Sequence, residues 1–226
     1  MLVFLDLDDC LIDTSNSITS PKLKLSLEAM QKKGLQIDDF QKFYNHILKI
    51  DSESESSLET LKKFLISIGA DKKYFDIGCS IIQGPIPKRV KVNVRKGAVG
   101  LLEELKKSHV LALVTIGDEA IQMDKLRKAG IDSAIFSIIS ILRQGCKKDI
   151  YRSIVKKNKM DSSVIVACGD RVNSDLKPAK ELGYKTIHTR WGRGKKKVYP
   201  RSPYVDYEVT RLCEIISIIK ELENNV

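Results

Sequence analysis

The sequence predicts an α/β protein built on a parallel sheet and interrupted early by a helical insert. Three observations carry that expectation. Apolar runs such as Val3-Phe4-Leu5, Val110 to Val114 and Val164 to Cys168 each stop abruptly at polar residues, the pattern of strands buried on both faces. Strand-like run, turn and amphipathic helix then alternate from about residue 97 onward, which is the rhythm of βα units. Residues 15 to 89 break that rhythm, with helical spacing and no strand alternation.

The opening run ends in Asp6-Leu7-Asp8-Asp9-Cys10-Leu11, at the carboxyl end of a central strand. Ligands of open α/β sheets bind in the crevice beyond such strand ends. Alternation places Asp6 and Asp8 on one face if the chain stays extended. Two close carboxylates repel unless a cation or a shared proton sits between them. A Mg²⁺ site with one carboxylate free to react is therefore expected here.

In the insert, Ile37, Phe40, Phe43, Tyr44, Ile47 and Leu48 follow helical spacing, as do Leu58, Leu61, Phe64, Leu65 and Ile68. Between these sets lies a polar loop, Asp51 to Ser57, whose last serine is placed to cap the next helix. Gly84-Pro85-Ile86-Pro87 reads as the way out of the insert. Tyr44, His46, Phe64, Tyr74 and Phe75 read as packing residues rather than a catalytic set.

Gly97 to Lys107 reads as an amphipathic helix leading into the strand Val110 to Val114. That strand ends at Thr115-Ile116-Gly117-Asp118, where the Thr115 hydroxyl and the amides of the Gly117 turn are candidate donors to phosphoryl oxygens. A helix over Glu119 to Lys128 closes at Gly130, and Ala134 to Ile141 is a further apolar, strand-like run. Gly145-Cys146-Lys147-Lys148 then opens a helix carrying Tyr151, Ile154 and Val155. After the strand ending at Cys168 comes Gly169-Asp170-Arg171-Val172-Asn173-Ser174-Asp175. Gly169 is expected to let the backbone turn sharply, so that Asp170 points at the crevice and Asp175 lies one turn on. Carboxyl oxygens so gathered suit Mg²⁺. The strand Thr186 to Thr189 follows with a structural His188, then the basic run Arg190 to Lys197, read as an exposed loop, and an amphipathic tail helix from Leu212 to Leu222.

Length and composition bound the function. At 226 residues and 42% hydrophobic content the chain builds one large domain, or a core with a smaller insertion. No segment approaches the roughly 20 apolar residues of a membrane span, and the N-terminus has no basic signal region. A cytoplasmic protein is the expectation. The five cysteines, at 10, 79, 146, 168 and 213, form no C-x-x-C pair. That argues for reduced thiols, against zinc or a disulfide framework. Cys10 and Cys146 are read as small buried fillers near the motifs. The formal net charge of +10 is read first as a solvated lysine-rich surface, although it also suits phosphorylated substrates or nucleic acid.

Four of these stretches together resemble the haloacid dehalogenase-like (HAD) hydrolases. Asp6-Leu7-Asp8-Asp9-Cys10-Leu11 resembles the family's first motif, with Cys10 where Thr or Val is usual. Thr115 stands where the second motif has its hydroxyl. Lys147, with Tyr151 four positions on, is preferred to Lys148 as the third-motif lysine. Gly169-Asp170 with Asp175 resembles the fourth. The resemblance implies a Rossmann-like parallel sheet core over residues 1–14 and 91–226, with a small inserted helical C1 cap over 15–90. It further implies a Mg²⁺-dependent phosphomonoester hydrolase working on a small phosphorylated metabolite through an aspartyl-phosphate. Asp6 would be the nucleophile and Asp8 the acid–base. Asp6, the Asp8 backbone carbonyl and Asp170 would hold Mg²⁺, with Asp175 in its inner or outer shell, and Thr115 and Lys147 would bind phosphoryl oxygens. A phosphosugar mutase of the same fold stays open as an alternative, as does a nucleic-acid-binding protein on an idle HAD fold. The substrate is not readable from residues 15–90.

Overall fold

The computed structural model describes residues 1–161, 165–195 and 202–224. The chain divides into two compact units, Met1–Asp13 with Val92–Val226, and Thr14–Lys91.

The first unit is built on a six-stranded sheet: β1 (Leu2–Leu5), β2 (Val110–Ile116), β3 (Ile138–Leu142), β4 (Ile165–Gly169), β5 (Lys185–Thr189) and β6 (Tyr207–Val209). The order is β3-β2-β1-β4-β5-β6, and every neighbouring pair is parallel. A chain that winds outward through β2 and β3 and then returns to lay β4 against β1 leaves a topological switch point there. The loops after β1 and β4 diverge at that point and open a crevice. The burial of β1 and β4 on both faces explains why their sequences are continuous apolar runs. The run Ala134 to Ile141 is only half strand. Its beginning is a 3₁₀ turn, Ser133–Ile135, opened by the Asp132 carboxylate accepting from the Ala134 amide, and β3 starts at Ile138. Three-residue β6 is too short to show a period in sequence.

The second unit holds α1 (Ser20–Lys32), α2 (Phe40–Asp51), α3 (Ser57–Ser67) and α4 (Lys73–Gln83), preceded by a single π-helical turn, Ser15–Thr19. Its core gathers Leu23, Leu27, Met30, Ile47, Leu61 and Phe64. Ser56, not Ser57, caps α3 by accepting from the Glu59 amide. Ser57 is already the first helical residue. His46 packs beside Phe64, with ring centroids 5.8 Å apart, and bonds Ser67 through Nε2.

Among the described residues, five α-helices belong to the first unit: α5 (Ala98–Lys106), α6 (Glu119–Ala129), α7 (Lys147–Asn158), α8 (Lys177–Lys180) and α9 (Glu214–Asn224). Leu2, Phe4, Ala112, Val114, Ile165 and Ala167 form one side of the sheet and pack against Tyr151, Ile154 and Ala179 of α7 and α8. Phe4 and Tyr151 meet with ring centroids 4.5 Å apart. Val3, Leu5, Leu111 and Leu113 alternate onto the opposite side and are equally buried; α5 lies against β2, and α9 against both α5 and β6. Burying side chains of this size is worth roughly 1.5–3 kcal/mol each, which fixes the strand ends that carry the acidic residues. No described helix is long and apolar enough to cross a membrane.

Candidate active site

Strand β1 stops at Leu5, one residue before the first aspartate. The Asp6 amide still pairs with the Cys168 carbonyl of β4 at 3.0 Å, but the chain then folds into a turn closed by Leu11 and Ile12 amides on the Leu7 carbonyl. Asp9 takes a left-handed backbone, φ 54°, a conformation aspartate tolerates better than most residues. Its side chain is packed where a Cβ on Gly192 would come within 2.2 Å, so position 192 admits only glycine. Buried Arg95 bonds the carbonyls of Asp9 and Cys10 at 3.1 and 3.0 Å and holds the turn from below. Because extension ends at Leu5, Asp6 and Asp8 separate: their carboxylates meet different partners.

Asp6 joins Asp170 and Asp175. One carboxylate oxygen from each lies within 4.8 Å of the others, and all three residues are buried. Asp170 follows the last residue of β4 directly. Asp175 arrives through a π-helical turn, Val172–Leu176, where its Oδ2 accepts from the Arg171 amide at 2.9 Å. Gly169 serves this approach by its size, not by a special backbone angle. A Cβ there would lie 2.5 Å from the Asp175 side chain. The Asp170 carbonyl accepts from Nε2 of fully buried His188 at 2.9 Å, which is the structural use expected of that histidine.

Lys147 enters the same cluster. Its Nζ stands 2.6 Å from Asp6 Oδ1 and 2.8 Å from Asp175 Oδ1, with the side chain 1% exposed. Lys148 instead pairs with Glu181 at 2.6 Å, away from the acids. Cys146 is exposed, not a buried filler, and caps α7 by accepting from the Lys148 amide, whereas Cys10 is buried.

Like charges at this spacing repel by roughly 3 kcal/mol per pair at an effective dielectric constant near 20. Burial pushes the Asp6 carboxyl up to about 7; Lys147 works against that rise, and Asp175 and Asp8 add to it. Burial likewise raises Asp170, with Asp175 beside it. Burial opposes the Lys147 charge, yet Asp175 and Asp6 hold its ammonium well above the ordinary lysine range. Three buried carboxyls meet the Lys147 ammonium, with the Arg171 guanidinium also acting on them. An all-oxygen donor set of this kind fits a hard divalent cation.

The Asp8 carboxylate lies outside this group. Lys125 Nζ contacts its two oxygens at 2.7 and 2.8 Å, and Gln122 Nε2 donates to Oδ2 at 2.9 Å. Thr115, buried at the end of β2, accepts from the same Gln122 nitrogen at 2.6 Å. The Gly117 amide is already used, donating to the Leu142 carbonyl at 2.7 Å, so it is no phosphate donor. Lys125, Gln122 and Arg95 were not among the residues marked by sequence. Gln122 and Lys125 stand three apart in a helix and so share a face, but which way that face points is a tertiary fact. In the basic run, Trp191 is half-buried and fastened, with its Nε1 donating to Asp13 Oδ1 at 3.0 Å and its ring under the Arg95 guanidinium at 4.7 Å. Lys196 and Lys197 lie outside the described residues.

A doubly wound parallel sheet carries a buried acid–lysine cluster beyond β1 and β4, a candidate site at the switch point. The chain belongs to the haloacid dehalogenase-like hydrolases, whose family model matches residues 1–183. It is 26% identical to the glyceraldehyde 3-phosphate phosphatase of Pyrococcus furiosus, over 99% of this chain and 94% of that protein. It is 27% identical to the protein of the same name from Methanocaldococcus jannaschii, over 99% and 98%. Among solved structures, the putative HAD-hydrolase YfnB of Bacillus subtilis, bound to magnesium, matches with a TM-score of 0.68 at 16% identity, covering 96% of this chain and 97% of that one. At that identity the likeness concerns the fold.

Proposed function

We propose that this hydrolase is a Mg²⁺-dependent phosphatase that cleaves a small phosphomonoester, of the glyceraldehyde 3-phosphate type, through a phosphoryl group carried on Asp6. The observation that carries the reading is the buried cluster of Asp6, Asp170 and Asp175, with Lys147 paired to Asp6 and Asp175. The names of relatives aligned along nearly the whole chain supply the substrate class.

Asp6, Asp170 and the Asp8 backbone carbonyl would hold the cation, with Asp175 beside them. When bound, it would neutralise acid charge and draw phosphoryl negative charge toward the strand ends. Asp6 uses its other carboxylate oxygen to attack phosphorus, forming a mixed anhydride as the ester oxygen leaves. Asp8 gives that oxygen a proton, then takes one from the water that hydrolyses the anhydride. Lys147 works against the rise that burial imposes on Asp6, orients its carboxylate and opposes charge on the transferring oxygens, and Thr115 donates its hydroxyl to one of them. The helical unit Thr14–Lys91 is the proposed cap.

Purified protein should release inorganic phosphate from glyceraldehyde 3-phosphate in a panel of phosphometabolites when Mg²⁺ is supplied. Asp6→Asn should release none from any substrate, because an amide is no comparable nucleophile. Phosphate moved to another hydroxyl without release would mean a mutase, and activity surviving in Asp6→Asn would remove the covalent step.

A further inference from the structure

Asp8 is gripped from one side by a single helix face. Lys125 Nζ reaches both of its oxygens, and Gln122 Nε2 reaches one of them. The atom of Gln122 facing Asp8 is the nitrogen, because a carboxylate accepts and an amide oxygen there would repel it. The Ile116 carbonyl, 3.4 Å from the same atom, also only accepts. An amide nitrogen has two hydrogens. With one on Asp8, the other lies toward Thr115 Oγ1 at 2.6 Å. Thr115 is thus the acceptor in that bond, and its own hydrogen is left to be donated elsewhere.

We infer that Lys125 and Gln122 are positioning residues: together they lock the Asp8 carboxylate in one orientation, and Gln122 directs the Thr115 hydroxyl hydrogen away from α6. The inference rests on the reading of Asp8 as the acid–base. Gln122 is 1% exposed and the Lys125 side chain 12% exposed, so neither is a loose surface contact. Asp8 sits on a turn beyond the end of its strand, where a single β-bridge to Ile12 pairs its backbone. The α6 face holds the carboxylate itself. Displacement of a reacting group by about 1 Å can cost 10²-fold in rate, which is the scale on which such a grip matters.

The test compares phosphoryl transfer to Asp6 from glyceraldehyde 3-phosphate, an alkyl ester, and from p-nitrophenyl phosphate, whose leaving group needs little protonation. Lys125→Met keeps the length and loses the charge. It should lower the alkyl-to-aryl rate ratio by roughly 10–100-fold, part of the 10²–10⁴-fold that acid–base help is worth. Lys125→Arg should restore the ratio to within several-fold of the parent. Gln122→Met should lower the ratio and, through Thr115, raise KM for both esters. Lys125→Gln serves if the methionine variant melts early. Asp8→Asn is measured alongside. A lowered ratio in Asp8→Asn but an unchanged one in Lys125→Met and Lys125→Gln would overturn the positioning role alone. An unchanged ratio in Asp8→Asn would overturn the acid–base reading, and this inference with it.

Discussion

The acidic residues divide their labour according to burial and to the donor each one meets. Asp6 shares a buried ammonium with Asp175, whereas Asp8 takes the half-exposed side of the turn and pairs with α6. Removing one partner from a buried charge set leaves the rest uncompensated, at a cost of about 3–5 kcal/mol. Lys147→Met should accordingly lower the stability of the cation-free protein by about that amount in urea unfolding, and Mg²⁺ should recover much of the loss. Stability unchanged in the variant would show that the ammonium compensates nothing. The acids and Lys147 were legible in the sequence because each follows an apolar strand run or opens a helix at a recognisable spacing. Lys125, Gln122 and Arg95 were not, since their use depends on which way a helix or loop faces after packing.

At the scale of the element, strand ends carry the clustered acids and small residues let the elements approach. Gly169 illustrates both. The expectation of a sharp backbone turn gave way to a steric reason, since a methyl at this position would collide with the Asp175 side chain. Gly169→Ala should cost roughly 1–3 kcal/mol, the range of overpacked interiors, and should weaken cation binding measured by calorimetry. An alanine variant with parental stability and affinity would show that the turn can shift freely. Helix α6 offers a second case. Asp118 caps it by accepting from the Ile121 amide at 3.2 Å, and loss of such a cap costs about 1 kcal/mol. Asp118→Ala should lower the melting temperature by a few degrees. It should also erode the alkyl-to-aryl preference more mildly than Lys125→Met does, because α6 would be loosened and not stripped of its donor. Strand and helix types were readable from periodicity. The first half of the Ala134–Ile141 run misled because an apolar 3₁₀ turn and an apolar strand look alike over three residues.

For the molecule as a whole, folding and protonation are linked through the buried acids, and under the proposed function cation binding would join them. From its ordinary value of 3.8 up to about 7, Asp6 keeps a proton in the folded chain that the unfolded chain has released. The folded state then binds more protons, so the stability of the cation-free protein falls as pH rises through that window. A cation that needs the carboxylate must displace the proton, so its affinity should climb about tenfold per pH unit for one proton displaced, levelling off near 7. The rise in melting temperature on adding Mg²⁺ should be larger at pH 7.5 than at pH 5.5. Equal rises would mean that no proton leaves on binding. Chelation should abolish turnover, and Ca²⁺ should restore it poorly because its larger shell misplaces the nucleophile. The fold class was legible because doubly buried strands write continuous apolar runs. The sheet order was not, because it depends on crossovers between segments far apart in sequence.

Trp191 gives the molecule a built-in optical gauge. It is the only tryptophan of the chain, and its indole is tied to Asp13, the last residue before the chain leaves the first unit, and lies beneath Arg95. Its fluorescence emission therefore comes from one defined place, the root of the chain's departure, with no label attached. Ligand titrations and stopped-flow mixing can follow that root directly, and Asp13→Ala, by freeing the ring nitrogen to water, supplies the red-shifted spectrum against which any change is read.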